Sequence, residues 1–127
     1  MEAKTSLFRF NLRIVDSVFE PGAPGKKVYV KSEGNAQLYK VWIFLDGADL
    51  PYVESVMYKL HPTFPNPEQT VRRTVANPSC QLVIWTWGLF KIKARVMGKN
   101  GRIYELDHQL QYDQQLREEG VQLIPVK

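Results

Sequence analysis

A chain of 127 residues and 14.7 kDa is the size of one domain and too short for two ordinary ones. Its 44% hydrophobic and 24% charged residues match the globular average, which excludes wholesale disorder. The net charge of +4 leaves room for an acidic partner, but no basic run exceeds the pairs Lys26-Lys27 and Arg72-Arg73, which argues against a nucleic-acid-binding stripe. Cys80 is the single cysteine, so neither an intrachain disulfide nor a cysteine zinc site can form. The N-terminal stretch lacks the apolar core of a signal peptide, and no stretch approaches the roughly 18 apolar residues of a membrane span. The expectation is one soluble domain over residues 1–127, with no membrane partner, cytoplasmic or, in a eukaryote, nuclear.

In chain order the dominant pattern is period-two alternation, which sends successive side chains to opposite faces of a strand. Phe8, Phe10, Leu12 and Ile14 form the first buried row. Residues 28–31 are a weaker strand, and residues 41–45, VWIFL, are apolar throughout, as for a strand near the centre of a sheet. Trp42 and Phe44 are expected on opposite faces of it, one in the core and one on an outer surface. Val53 to Leu60 follows with Val56, Tyr58 and Leu60 inward, then a weaker strand over 70–75 and a short one over 81–85. Phe90, Ile92, Ala94 and Val96 alternate with Lys91, Lys93 and Arg95, a face expected to be solvated. Tyr104, Leu106, His108, Leu110 and Tyr112 complete the series. Turn chemistry separates the runs at Gly34-Asn35, Asp46-Gly47, Asn77-Pro78 and Asn100-Gly101, the last a hairpin signature. Asp113 is positioned to cap a short helix over 114–119 that stops at Gly120. These features predict an all-β, immunoglobulin-like antiparallel β-sandwich of seven or eight strands with a short C-terminal helix, residues 113–127 being either a tail or a linker.

Catalytic chemistry is hard to assemble from these residues, and no enzyme and no cofactor are expected. His61 and His108 are the only histidines and lie far apart, which is too few for a metal site. Residues 22–27, GAPGKK, lack the first glycine and the Ser/Thr of a phosphate loop. Asp107 and His108 are adjacent on one strand and face opposite ways, so they are no dyad.

Two segments do not read as scaffold. Three prolines between residues 62 and 67 stiffen a loop holding His61, Thr63 and Phe64. Trp85, Trp87 and Phe90 surround Gly88 where one strand turns into the next, more aromatic surface than a turn requires. Together they can form a cleft. Read as Leu60-His61-Pro62-Thr63-Phe64 and Thr86-Trp87-Gly88-Leu89-Phe90, and flanked by strands in the right places, they resemble the two hallmark segments of YEATS domains. The resemblance runs from Leu38 to Tyr112, and the compact loops are most similar to the prokaryotic members.

That resemblance implies a non-catalytic reader of acetyl-lysine, crotonyl-lysine or a related acyl-lysine on a protein partner, in an aromatic pocket at one end of the sandwich. It assigns the ligand to His61, Thr63, Phe64, Thr86, Trp87 and Gly88. Thr63 and a backbone N–H near Trp87 would meet the amide, and Phe64 and Trp87 would sandwich the acyl group. Thr86 replaces a family glycine, Leu89 replaces an acidic or small residue, and Tyr39 alone stands where chromatin readers supply a further aromatic. The alternative is a YEATS-fold interaction module of a bacterial signalling or conflict system, binding an effector protein or a fused domain and no acyl-lysine.

Overall fold

The computed structural model describes residues 10–127, and its regular structure is almost wholly strand. In chain order these are β1 (Arg13–Ser17), β2 (Lys27–Glu33), β3 (Ala36–Asp46), a 3-10 turn (Leu50–Tyr52), β4 (Val53–Lys59), β5 (Glu68–Arg72), β6 (Leu82–Thr86), β7 (Lys91–Gly98), β8 (Ile103–Gln109), helix α1 (Tyr112–Leu116) and β9 (Gln122–Pro125). The part of the first expected strand before residue 10 lies outside the described residues.

β3 organises the first sheet because its eleven residues are long enough for two partners placed end to end. Along one edge β1 pairs from Arg13↔Asp46 to Ser17↔Trp42, and β2 pairs from Val30↔Tyr39 to Glu33↔Ala36. Along the other edge β6 pairs from Tyr39↔Thr86 to Ile43↔Leu82. The second sheet runs β5-β4-β7-β8 and is antiparallel throughout. The two sheets close on a dry core in which Val41, Ile43 and Leu45 meet Val56, Tyr58, Ile92, Ala94 and Val96. This is the expected immunoglobulin-like sandwich.

Period two also corrects one expectation. Trp42 and Phe44 are two residues apart, so they share a face, and it is the outer one, since Val41, Ile43 and Leu45 take the core. Trp42 is nonetheless only 3% exposed. Tyr29 packs edge-on to it at 6.3 Å and the Lys40 amine lies 5.2 Å from its ring centre.

The turns follow their residues. Gly101 adopts φ +82° in the β7–β8 hairpin, where its N–H bonds to the Gly98 carbonyl and the Gly98 N–H to that of Arg102. Gly47 is required sterically, since a Cβ there would run into the backbone of Asn11.

Three boundaries differ from expectation. β5 lies at Glu68–Arg72, leaving Val75 fully exposed, because Thr74 and Asn77 close a turn. The helix begins at Tyr112, not beyond Asp113, and its N-terminal flank Gln111 makes no capping bond. Burial of Tyr112 outweighs the capping preference of Asp113, which instead faces Arg117 one turn on at 3.6 Å. β9 adds a strand the sequence did not announce and is the one parallel pair among the described residues, from Lys27↔Gln122 to Val30↔Pro125 on β2.

Candidate functional site

The loop from Leu60 to Pro67 leaves β4 and returns to β5, closed by a bond from the Leu60 N–H to the Pro67 carbonyl. Within it the Phe64 N–H bonds to the His61 carbonyl at 3.0 Å, a tight turn for which Pro62 supplies the fixed φ. The Thr63 N–H is directed at His61 Nδ1 at 3.2 Å. The Thr63 hydroxyl lies 2.9 Å from the same nitrogen, and in either imidazole tautomer its oxygen keeps a lone pair free. Phe90 is the base for both rings, with His61 edge-on at 6.0 Å and Phe64 tilted at 5.6 Å. Phe90, expected to be a core residue, packs on the core and lines the cleft as well.

The β6–β7 connection forms the opposite wall. Thr86 ends β6 with its side chain buried, and its hydroxyl lies 3.4 Å from the Gly88 N–H and 3.3 Å from the Gly88 carbonyl. Thr86 has no positive φ, so the family glycine it replaces is not needed for backbone geometry here. The Tyr112 hydroxyl bonds the same carbonyl at 2.9 Å from below. Burial pushes that phenol up to about 12, which keeps it a donor at any physiological pH. Trp87, at the tip, is 72% exposed.

Between these walls lies a cleft of about 480 Å³ that brings together His61, Thr63, Phe64, Thr86, Trp87 and Gly88. Tyr39 is not among its lining residues. It shares the inward parity of Val41 and Ile43, and its ring packs 6.1 Å from Tyr112, behind the turn. The cleft is instead extended by Glu33, Leu38 and Trp85 on the outer face of the first sheet. The aromatic segment around Gly88 contains Trp85, but only the β3–β6 register, which pairs it with Lys40, sets it on the same outer face as Leu38.

Other depressions are chemically different. The outer face of the second sheet interleaves its cations with acids, Arg95 with Glu105 at 3.5 Å and Lys91 with Asp107 at 3.9 Å, so it has no single-sign stripe. Between β1 and β8, His108 Nε2 lies 2.6 Å from Asp16 Oδ1, and among the described residues no Ser, Thr or Cys bonds to the imidazole. Among the described residues no group of three or more potential ligands could hold a metal ion, and no helix is long and apolar enough to cross a membrane.

A family model described as the prokaryotic YEATS domain matches residues 39–111, which include both walls of the cleft. The chain belongs to that family. A curated relative is subunit 14 of the transcription initiation factor TFIID of Schizosaccharomyces pombe, 33% identical over 76 residues. The match takes in 59% of this chain but 30% of that protein, so this chain spans less than a third of its relative. Among solved structures, the Yaf9 YEATS domain recognising a succinylated histone H3 peptide superposes with a TM-score of 0.54 at 19% identity, over 82% of this chain and 75% of that one. Yeast Yaf9, an AF-9 homolog, gives 0.53 at 20% identity, over 79% and 64%. At such identities the likeness is one of fold, and the fold is the YEATS sandwich.

Proposed function

We propose that this YEATS domain is a non-catalytic reader that holds a neutral acyl-lysine of a protein partner in the cleft between the His61–Phe64 turn and the Trp87–Gly88 turn. The supporting observation is the Thr63 hydroxyl, which lies 2.9 Å from His61 Nδ1, keeps a lone pair free in either tautomer, and lines the same cleft as the Phe64 ring. An acyl-lysine amide has one N–H and one carbonyl. The Thr63 oxygen accepts the N–H, and a backbone N–H at the Trp87 turn donates to the carbonyl. Phe64 and Trp87 flank the flat amide and its apolar tail.

An unmodified lysine brings an ammonium, which loses its hydration between two rings and finds no carboxylate at the Thr63 end of the cleft. Discrimination therefore comes from desolvation, and affinity for one buried side chain is modest, on the order of tens of micromolar or weaker. Recognition of a succinyl-lysine peptide of histone H3 by the Yaf9 YEATS domain supports an acyl-lysine as the ligand class, although the succinyl group itself is anionic.

The test is an NMR titration with acetyl-lysine and crotonyl-lysine peptides beside the unmodified peptide. Saturable shifts at Thr63, Phe64 and residues 86–88 that the unmodified peptide does not produce are expected. Silence at millimolar acyl peptide overturns the reading and favours an effector-binding module.

A further inference from the structure

We propose that the open edge of β6 receives the partner's backbone as an added strand, which delivers its acyl-lysine to the cleft where β6 ends. The partner segment is therefore extended and bonds through its main chain beside the modified residue. This rests on the acyl-lysine reading above and names the backbone conformation that the site selects.

β6 pairs with β3 along one side, and no main-chain bond from Leu82 to Thr86 reaches any other described segment. In an antiparallel pair alternate residues turn both the N–H and the carbonyl away from the partner strand, so those groups of β6 point outward. Such an edge is a template for another strand, and proteins guard theirs with charge, proline or shortness. The other described edges are guarded. β1 carries Arg13 and Asp16, β5 carries Glu68 and Arg72, and β8 carries Glu105 and Asp107. β9 has four residues and ends in Pro125. Only β6, Leu82-Val83-Ile84-Trp85-Thr86, has neither a charge nor a proline. From Val83 to Thr86 its residues are β-branched or aromatic, which favours pairing, and Val83 is 41% exposed.

Continuity with the cleft supplies the occupant. Thr86 is the last residue of β6, and Trp87 and Gly88 beyond it form one wall. Neighbouring strands lie about 4.8 Å apart, so a residue of the added strand level with Thr86, or one step beyond, stands at the mouth of the cleft. Its side chain enters between Trp87 and Phe64 while the rest of the segment runs back along β6 toward Leu82. In strand addition the main-chain bonds supply affinity and a side-chain pocket supplies specificity, here the acyl-lysine cleft.

The experiment uses NMR on the whole chain with three ligands. One is capped crotonyl-lysine, the second a peptide of about nine residues with threonine and valine alternating around crotonyl-lysine, and the third that peptide N-methylated at one flanking amide at a time. The peptide is expected to bind about tenfold or more tightly than the capped residue, and to slow exchange of alternate amides between Leu82 and Thr86. N-methylation removes one donor, and it weakens binding about three- to tenfold at every second residue on one side of the lysine and little between them. A peptide that binds no tighter than the capped residue, or that fills the cleft and leaves exchange in β6 unchanged, overturns strand addition and leaves the acyl-lysine reading standing. Protection of every amide from Leu82 to Thr86 in the free protein means that a second copy or another part of the chain covers the edge, and it also overturns the proposal. Ligands that all fail to bind overturn both.

Discussion

The Tyr112 hydroxyl donates a 2.9 Å hydrogen bond to the Gly88 carbonyl and so ties α1 to the turn that presents Trp87. Trp87 itself is largely in water, so nothing packed around its ring holds it in place. The turn beneath it is held from the helix instead.

Tyr112→Phe removes that bond without changing the packing of the ring. The Gly88 carbonyl keeps only the longer contact from Thr86 at 3.3 Å. The expected loss is about 1 kcal/mol of stability in urea. A parallel fall in acyl-peptide affinity shows that the turn is positioned by α1, and unchanged affinity confines Tyr112 to stability.

Alkaline pH acts on Tyr112 and on the Tyr58–Cys80 pair of the core. Burial raises the Cys80 thiol from near 9 to about 11 and the Tyr112 phenol from near 10 to about 12, and it raises the Tyr58 phenol further still. Each group holds its proton more tightly folded than unfolded, so its contribution is whole below the unfolded value and is lost as pH climbs through the folded one. Stability therefore falls above about pH 9, by up to roughly 1.4 kcal/mol per pH unit for each group in its window. Urea midpoints measured from pH 7 to 11 check this, and a flat profile contradicts it.

His108 and Asp16 join the open edges of the two sheets. The Asp16 carboxylate is 2% exposed and takes His108 Nε2 on one oxygen at 2.6 Å and the Gln111 N–H on the other at 2.9 Å. His108→Ala leaves a buried charge with one partner, at a cost of about 3 kcal/mol. Making Asp16→Asn in the same background removes the charge and is expected to recover part of the loss. A double mutant no more stable than His108→Ala alone refutes the burial argument.

Tyr58 bonds the carbonyl of Cys80 at 2.7 Å inside the core, where Cys80 itself sits at φ +54°. Tyr58→Phe strands that carbonyl and is expected to cost about 1–3 kcal/mol. The Cys80 thiol, fully buried, should react with a thiol reagent at the rate of global unfolding. Fast labelling of the native protein at neutral pH contradicts the packing described.

Trp87→Ala and Thr63→Ala separate binding from folding. Both side chains are exposed, so each change should move stability by less than about 0.5 kcal/mol. Loss of the ring or of the hydroxyl acceptor is expected to weaken acyl-peptide binding about tenfold or more. Retained affinity in both variants places the ligand elsewhere.

The alternation of Ile92, Ala94 and Val96 with Lys91, Lys93 and Arg95 determined by itself where β7 lies and which face it buries, since period two is a property of the strand alone. The prolines of residues 62–67 and the rings around Gly88 likewise marked both walls of the cleft, because stiffness and misplaced apolar surface are local signals. Tyr39 shows the limit. The resemblance placed it where chromatin readers supply a further aromatic, while parity along β3 turned it toward Tyr112. Glu33, Leu38 and Trp85 were brought to the cleft only by the pairing of β2 and β6 with β3. The same holds for β9, whose four residues carry too little pattern to be read before β2 offers its edge. Register and sheet edge are relations between distant segments, and their energy comes from contacts that no stretch of sequence contains on its own.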